Sequence, residues 1–240
     1  MIFIVTFILV TFLALFFTGA IRKSNYILYS IAAAISITTA IYEILRITSN
    51  AKLDGILLTL EKASMRGLIS ISFFILVMYA GALNTRWSIT KKLLSIRAEL
   101  AILGSIMLLP HGIIYFARFL ILKLPKIMSE GSFPLLYFSY IAVGIIGFII
   151  MIPLFITSIR KIRYKIKGMR WKKLQRWAYL FYILAYGHIL LVLLNEKELD
   201  WLRLSMYTII FGSYMTLRLL KSKNAAQVKA LKLSANSDLV

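Results

Sequence analysis

The chain has 240 residues, 60% of them hydrophobic, and a mean hydropathy of +0.84. Soluble domains of this length are less apolar, and apolar stretches of about 20 residues, the length that crosses a bilayer, recur along the sequence. The lack of cysteine excludes disulfides, thiolate nucleophiles and cysteine-ligated metals. These properties predict an all-α, polytopic membrane helical bundle, so the net charge of +20 has to be interpreted relative to a membrane.

Hydropathy and length predict about seven transmembrane helices, at residues 1–21, 25–47, 65–84, 98–122, 135–158, 174–195 and 201–220. No basic residue precedes the first apolar segment, and Arg22 and Lys23 follow it, which favours a transmembrane helix over a signal peptide. Residues 50–63 are too short and too polar to span. Their leucines and isoleucine share one face, which predicts a short helix on the membrane surface.

The distribution of charge predicts the orientation. Lysine and arginine concentrate in the first, third and fifth loops and after the last span, whereas most acidic residues lie in the other loops. The positive-inside rule then places the N-terminus outside and the C-terminus in the cytoplasm, in a multi-pass protein of the cell (inner or cytoplasmic) membrane. The fifth loop, residues 160–176, is more basic than topology requires. Anionic lipid and an acidic cytoplasmic partner are both open as its counterpart, and no nucleic acid is expected.

The only two histidines, His111 and His188, lie inside the apolar segments LLPHGIIYFARF and YILAYGHILLVLL. His111 is 14 positions after Arg97, and His188 is 13 positions after Gln175, on helices predicted to run in the same direction. At ~1.5 Å per residue both imidazoles lie ~20 Å from the inner end. This matched depth favours a planar ligand held between them, and haem iron binds neutral imidazole well. Interhelical hydrogen bonding by two structural histidines is the alternative.

Three further residues are candidates for cofactor binding. Gly112 and Gly187 are adjacent to the histidines and would let a macrocycle approach closely. Arg118, about two helical turns beyond His111, is a candidate partner for a haem propionate. Ordinary helix packing explains the glycines equally well, and snorkelling of a long basic side chain explains Arg118.

Three segments between Met65 and Lys223 form an ordered set: RAELAILGSIMLLPHGIIY, VGIIGFIIMIPLFITSIRKIRYKIKGMRWKKLQRWAYLFYILAYGHILL and YTIIFGSYMTLRLLKSK. This set resembles successive helices of the ferric-reductase-like transmembrane family, most closely its MsrQ (YedZ) type, a haem-binding membrane subunit. The resemblance implies a b-type haem with His111 and His188 as axial metal ligands. It also implies an electron donor, either a flavin reductase or quinone, and an outer-side acceptor such as a protein or ferric iron.

The chain departs from the family pattern where a second haem would be bound. The family's first histidine on the later helix corresponds to Gln175, and position 97 is arginine, so one haem b is expected rather than two. An FMN, FAD or quinone near Gln175, Trp171, Trp177 and Tyr179 would shorten the electron path from the inner face. An interfacial aromatic belt is the alternative explanation for this cluster.

The sequence therefore predicts three regions. Residues 1–63 form two transmembrane helices and an interfacial segment, residues 64–223 form the ferric-reductase-like haem-binding domain, and residues 224–240 form a mobile polar cytoplasmic tail. The predicted function is electron transfer across the membrane. A non-redox permease-like, assembly or anchoring protein and a quinol-oxidising cytochrome are the alternatives.

Overall fold

The computed structural model describes the backbone of residues 2–131 and 133–237, and every regular element in this part of the chain is helical. The helices are α1 (Ile2–Phe16), α2 (Thr18–Lys23), α3 (Asn25–Ser49), α4 (Gly55–Met65), α5 (Leu68–Ala82), α6 (Ser88–Ser95), α7 (Arg97–Arg118), α8 (Leu124–Glu130), α9 (Leu135–Ser158), α10 (Arg160–Arg163), α11 (Gly168–Gln175), α12 (Trp177–Leu194) and α13 (Trp201–Ser237). A π-helical segment, Phe119–Lys123, joins α7 to α8. The predicted all-α class is confirmed.

Four helical segments in the described residues are long and apolar enough to cross a membrane: Asn25–Ser49, Arg97–Glu130, Leu135–Ser158 and Gly168–Leu194. The pair α4 and α5, bent by 53°, forms a fifth if it is one broken span. Of the seven predicted spans, the first is short, because α1 has only 15 residues and ends at Phe16. The last, in α13, includes Arg203 and several hydroxyl side chains and is not among these apolar segments.

The segment predicted to lie on the membrane surface forms α4. Its apolar side chains Ile56, Leu57 and Leu60 are exposed, whereas Glu61, in the second half of the helix, is buried. The chain then turns into α5 at Gly67, whose φ of 71° is strained for residues with a Cβ. This turn separates the short helix α4 from α5, most of whose residues are buried.

The centre of the bundle is α5, which packs against α1 and α7. Ser70 on α5 donates a hydrogen bond to the carbonyl of Gly104 on α7 at 2.7 Å, and both residues are buried. A Cβ at Gly104 would lie 3.1 Å from Cβ of Phe73, so the two helices touch closely here. Phe74 of α5 contacts Phe181 of α12 edge to face. These contacts fix α7 and α12, the two helices that carry the histidines.

The polar segment after residue 223, predicted as a tail, is described by the structure as far as residue 237. Helix α13 continues through Ser237, so the described part of residues 224–240 is helical. The sequence NAAQVKALKLSA is rich in alanine, lysine and leucine, which are strong helix formers, and therefore extends the helix beyond its apolar part.

Candidate functional site

The structure brings His111 on α7 and His188 on α12 together. Their ring centroids are 6.1 Å apart, and the ring planes are almost perpendicular, at 88°. Both side chains are partly exposed although each lies in the middle of an apolar helix. The matched depth estimated from the sequence corresponds to this direct juxtaposition.

Each imidazole is fixed by one hydrogen bond to a main-chain carbonyl. The Nδ1 atom of His111 lies 2.9 Å from the carbonyl oxygen of Met65, and that of His188 lies 2.9 Å from the carbonyl oxygen of Tyr140. A carbonyl only accepts, so Nδ1 is the protonated nitrogen in both rings. In a neutral imidazole, Nε2 then holds the lone pair, and this is the usual arrangement of a metal-ligating histidine.

The carbonyl that holds His111 is available because α4 ends at Met65. The chain turns there, and the carbonyl of a last helical residue has no partner further along its own helix. Gly67 completes the turn, and a Cβ at this glycine would lie 3.7 Å from the His111 ring. The break between α4 and α5 thus both frees a hydrogen-bond acceptor and makes room for the imidazole.

The second histidine depends on Gly144 of α9. A Cβ at this position would lie 2.9 Å from both Cε1 and Nδ1 of His188. The absence of a side chain lets the ring reach the Tyr140 carbonyl, one turn earlier on the same helix. Sequence reasoning missed Gly144, although it occurs in the VGIIG segment that supports the family resemblance.

The two glycines selected from the sequence lie beside the histidines but face other groups. The space at Gly112 is filled by the ring of Phe148 on α9, which a Cβ would strike. At Gly187 the nearest atom to a Cβ is Cγ1 of Val143, at an ordinary distance of 3.9 Å. Both glycines therefore face α9 in this structure. This arrangement agrees with ordinary helix packing, the alternative given for these residues from the sequence.

Arg118 is the last residue of α7 and is half-buried. Its NH1 atom is 3.5 Å from the carboxylate of Glu43, and its guanidinium lies 5.8 Å from the ring centroid of Tyr115. Tyr115 in turn packs against His111, with ring centroids 4.9 Å apart. Glu43 also pairs with Arg46, three residues further along the same helix, at 2.8 Å. Arg118 is thus linked to the histidine through one aromatic ring.

The aromatic cluster around Gln175 is held by contacts within the bundle. The Gln175 amide donates to the hydroxyl of Thr157 at 3.2 Å, and the Trp171 indole donates to the carbonyl of the same residue at 3.2 Å. Tyr179 bonds to Arg218, and Trp177 is exposed. Gln175 and Trp171 therefore fasten α11 to the end of α9.

Among residues 2–131 and 133–237, no group of three or more His, Asp or Glu side chains is placed to hold one metal ion. A metal at this site would therefore have the two imidazoles as its protein ligands, and its other ligands would have to come from a bound molecule.

Residues 66–186 match the family model described as "Ferric reductase like transmembrane component". The match contains His111, Gly112, Arg118 and Gln175, and it ends just before Gly187 and His188. It is shorter than the resemblance inferred from the sequence. An uncharacterized protein of Treponema pallidum (strain Nichols) is 31% identical over 157 residues, which cover 64% of the present chain and 42% of the relative. The chain thus spans less than half of that relative's length.

Proposed function

Because the chain belongs to the ferric-reductase-like transmembrane family, we propose that it is a haem b subunit of a membrane electron-transfer system, with His111 and His188 as the axial ligands. The finer proposal, that it is of the MsrQ (YedZ) type, is supported by the ordered segments of its later helices. Family membership itself suggests a membrane electron-transfer component.

The observation that carries the proposal is the pair of imidazoles, 6.1 Å apart, with both Nδ1 atoms bound to carbonyls. Metal–imidazole bonds are about 2 Å long, so two nitrogens that bind one metal from opposite sides lie roughly 4 Å apart. Ring centroids 6.1 Å apart accommodate this when the Nε2 edges face each other. The donor set therefore fits a group that brings its own equatorial ligands. A haem held there would supply reversible one-electron transfer.

We propose one haem rather than two. The family's first histidine on the later helix is replaced by Gln175, and the Gln175 amide is already bound to Thr157. Arg97, at the other inner position, contributes a permanent positive charge rather than a neutral nitrogen. A flavin or quinone beside Gln175 stays a prediction from the sequence.

The proposed direction of electron flow follows from the distribution of charge. We place the N-terminus outside, and we place the basic loops and the C-terminal end of α13 in the cytoplasm. With α1 and α13 counted as membrane-spanning, the bundle has seven spans. The donor, a flavin reductase or quinol, would then act at the basic face, and the acceptor, a protein or ferric iron, on the outer face. The 240 residues contain no glycine-rich nucleotide-binding fingerprint, which supports a donor outside this sequence.

The test is the optical spectrum of the purified full chain. Reduction with dithionite should give the sharp α-band and shifted Soret band of six-coordinate, low-spin haem. His111→Ala and His188→Ala should each remove this spectrum, since a lost axial ligand leaves iron five-coordinate or unbound. The matched controls are Ile113→Ala and Ile183→Ala, on the same helices with exposed side chains, which should keep the spectrum.

Colourless wild-type protein from cells supplied with haem, or a normal spectrum in either histidine variant, would overturn the proposal. The protein would then fit the alternative, in which both histidines are structural groups that hydrogen-bond the carbonyls of Met65 and Tyr140.

A further inference from the structure

An apolar groove lies between the first and last helices. Phe3 of α1 packs on Tyr207 of α13, with ring centroids 4.7 Å apart. Further along both helices the groove has a volume of about 320 Å³, within the range of ligand pockets. Its walls come from α1, α5, α6 and α13 and include Phe7, Thr11, Leu76, Leu83, Leu93 and Ile210. Its lining is almost wholly apolar, so it suits a hydrocarbon chain.

Three cationic side chains meet at one end of this groove, where α5 ends. Lys221 donates to the carbonyls of Gly81 and Leu83, each at 3.0 Å, and Arg218 donates to the carbonyl of Gly81 at 3.3 Å. The guanidinium of Arg97 lies 3.6 Å from where a Cβ of Gly81 would be. Leu83 also lines the groove, so the groove and this cationic cluster are continuous.

The cationic cluster has no acidic counterpart in the described part of the chain. Arg97, Arg218 and Lys221 take part in none of its salt bridges. Burial, together with the positive Arg218 and Arg97, lowers the pKa of Lys221, since each disfavours the charged amine. An anion among the three groups would offset this repulsion. Capping of the last α5 carbonyls explains the bonds of Lys221 and Arg218 to Gly81 and Leu83. Arg218 also bonds to the Tyr179 hydroxyl, and Arg97 takes no part in the capping.

We propose that the groove and the cationic cluster together bind one anionic phospholipid, with an acyl chain in the groove and the phosphate on Arg97, Arg218 and Lys221. The acyl chain would contact the apolar groove, and the phosphate would contact the cationic cluster. The apolar walls remove the chain from contact with other lipids, and basic side chains near a membrane surface attract anionic headgroups. A zwitterionic lipid would fill the groove but would bring no net negative charge to the cluster, because its own ammonium group balances its phosphate.

The experiment uses the full chain in detergent, titrated with phosphatidylglycerol or with phosphatidylcholine of the same acyl chains. Native mass spectrometry measures the fraction of protein that retains one lipid. We expect a single phosphatidylglycerol to bind roughly tenfold more tightly than phosphatidylcholine. The double change Arg218→Gln and Lys221→Gln should abolish this preference. Thr11→Trp, which fills the groove, should weaken the binding of both lipids.

The matched control is Lys161→Gln with Lys165→Gln, two exposed cations of the fifth loop, which should leave the preference unchanged. Equal binding of the two lipids to wild-type protein would overturn the proposal. So would loss of the preference in the control pair as well, because that result indicates general attraction of a basic surface. Binding of glycerol 3-phosphate as tight as that of phosphatidylglycerol would exclude a role for the groove. If Thr11→Trp fails to fold, the double variant Arg218→Gln and Lys221→Gln still tests the proposal.

Discussion

At the scale of single residues, the absence of a side chain at Gly144 determines whether His188 can keep its position. A Cβ would stand 2.9 Å from two atoms of the ring, closer than such contacts come. We predict that Gly144→Ala moves the imidazole away from the Tyr140 carbonyl and lowers the affinity for the proposed haem about 10–100-fold, as loss of a ligand's supporting bond does. Haem content per protein and the reduced α-band measure this.

Gly147→Ala is the control for this prediction, since it lies on the same helix one turn further on. Its Cβ would meet Leu184 at an ordinary 3.7 Å, so haem content should stay normal. Full haem content in Gly144→Ala, or equal loss in both variants, would show that the close approach of His188 to α9 does not matter.

Replacing the buried Glu43 or Glu61 by glutamine is expected to change the free energy of unfolding in opposite directions. Glu43 accepts from Arg46 and Arg118, so Glu43→Gln should lower the free energy of unfolding by about 1–3 kcal/mol. Glu61 lies against Glu43, and its buried Oε1 has no hydrogen-bond partner in the described chain. Glu61→Gln supplies an amide donor to Glu43 and should raise stability by about 0.5 kcal/mol.

Unfolding of both glutamine variants by denaturant in the same detergent measures the difference. A loss of stability in Glu61→Gln as large as that in Glu43→Gln would contradict the argument, since it would require Glu61 to be a charged partner of the nearby arginines.

Residue types and spacing predicted part of this site. The matched depth of the two histidines, on helices predicted to run in the same direction, predicted that they lie together. The carbonyls of Met65 and Tyr140 were not predictable, because every residue has one and only the helix geometry selects which is used. Gly144 was missed because the ring it accommodates belongs to another helix.

At the scale of helices, hydropathy locates apolar segments better than it locates helix ends. The predicted span 135–158 coincides with α9, Leu135–Ser158, where apolar sequence and helix end together. The predicted span 98–122 is only part of a longer helical segment, Arg97–Glu130, and α13 likewise extends far past residue 220. Helices continue into polar sequence wherever propensity allows, because their hydrogen bonds are internal.

The start of α13 offers a test of capping and of pH dependence. Asp200 accepts from the backbone N–H of Arg203 at 2.9 Å and from its side chain at 2.7 Å, and these bonds lower the pKa of Asp200. A carboxylate with a lowered pKa contributes stability above its unfolded pKa of about 3.8, and this contribution is lost as pH falls through the folded value. We predict that in Asp200→Ala the backbone amides in the first turn of α13 exchange at neutral pH. In the wild-type protein these amides should lose their protection only in acid.

Asp54 provides the matched control, because it precedes α4 but makes no capping hydrogen bond with its side chain. Asp54→Ala should leave amide protection in the first turn of α4 unchanged. Equal protection of α13 in Asp200→Ala and wild type at neutral pH would show that the Asp200 bonds do not hold this helix end.

At the scale of the whole molecule, the uneven distribution of lysine and arginine among the loops predicts the orientation on which the proposed electron flow depends. Because the natural chain has no cysteine, single cysteines report on one position each. In intact cells an impermeant maleimide should label Lys197→Cys, in the outer loop, and should label Lys165→Cys only after permeabilisation. The reverse labelling pattern would mean that the bundle has the opposite orientation in the membrane. Lys223→Cys then tests α13 itself: protection in intact cells means that this weakly apolar helix crosses the membrane, and labelling means that it lies outside and that Lys221 faces the outer leaflet.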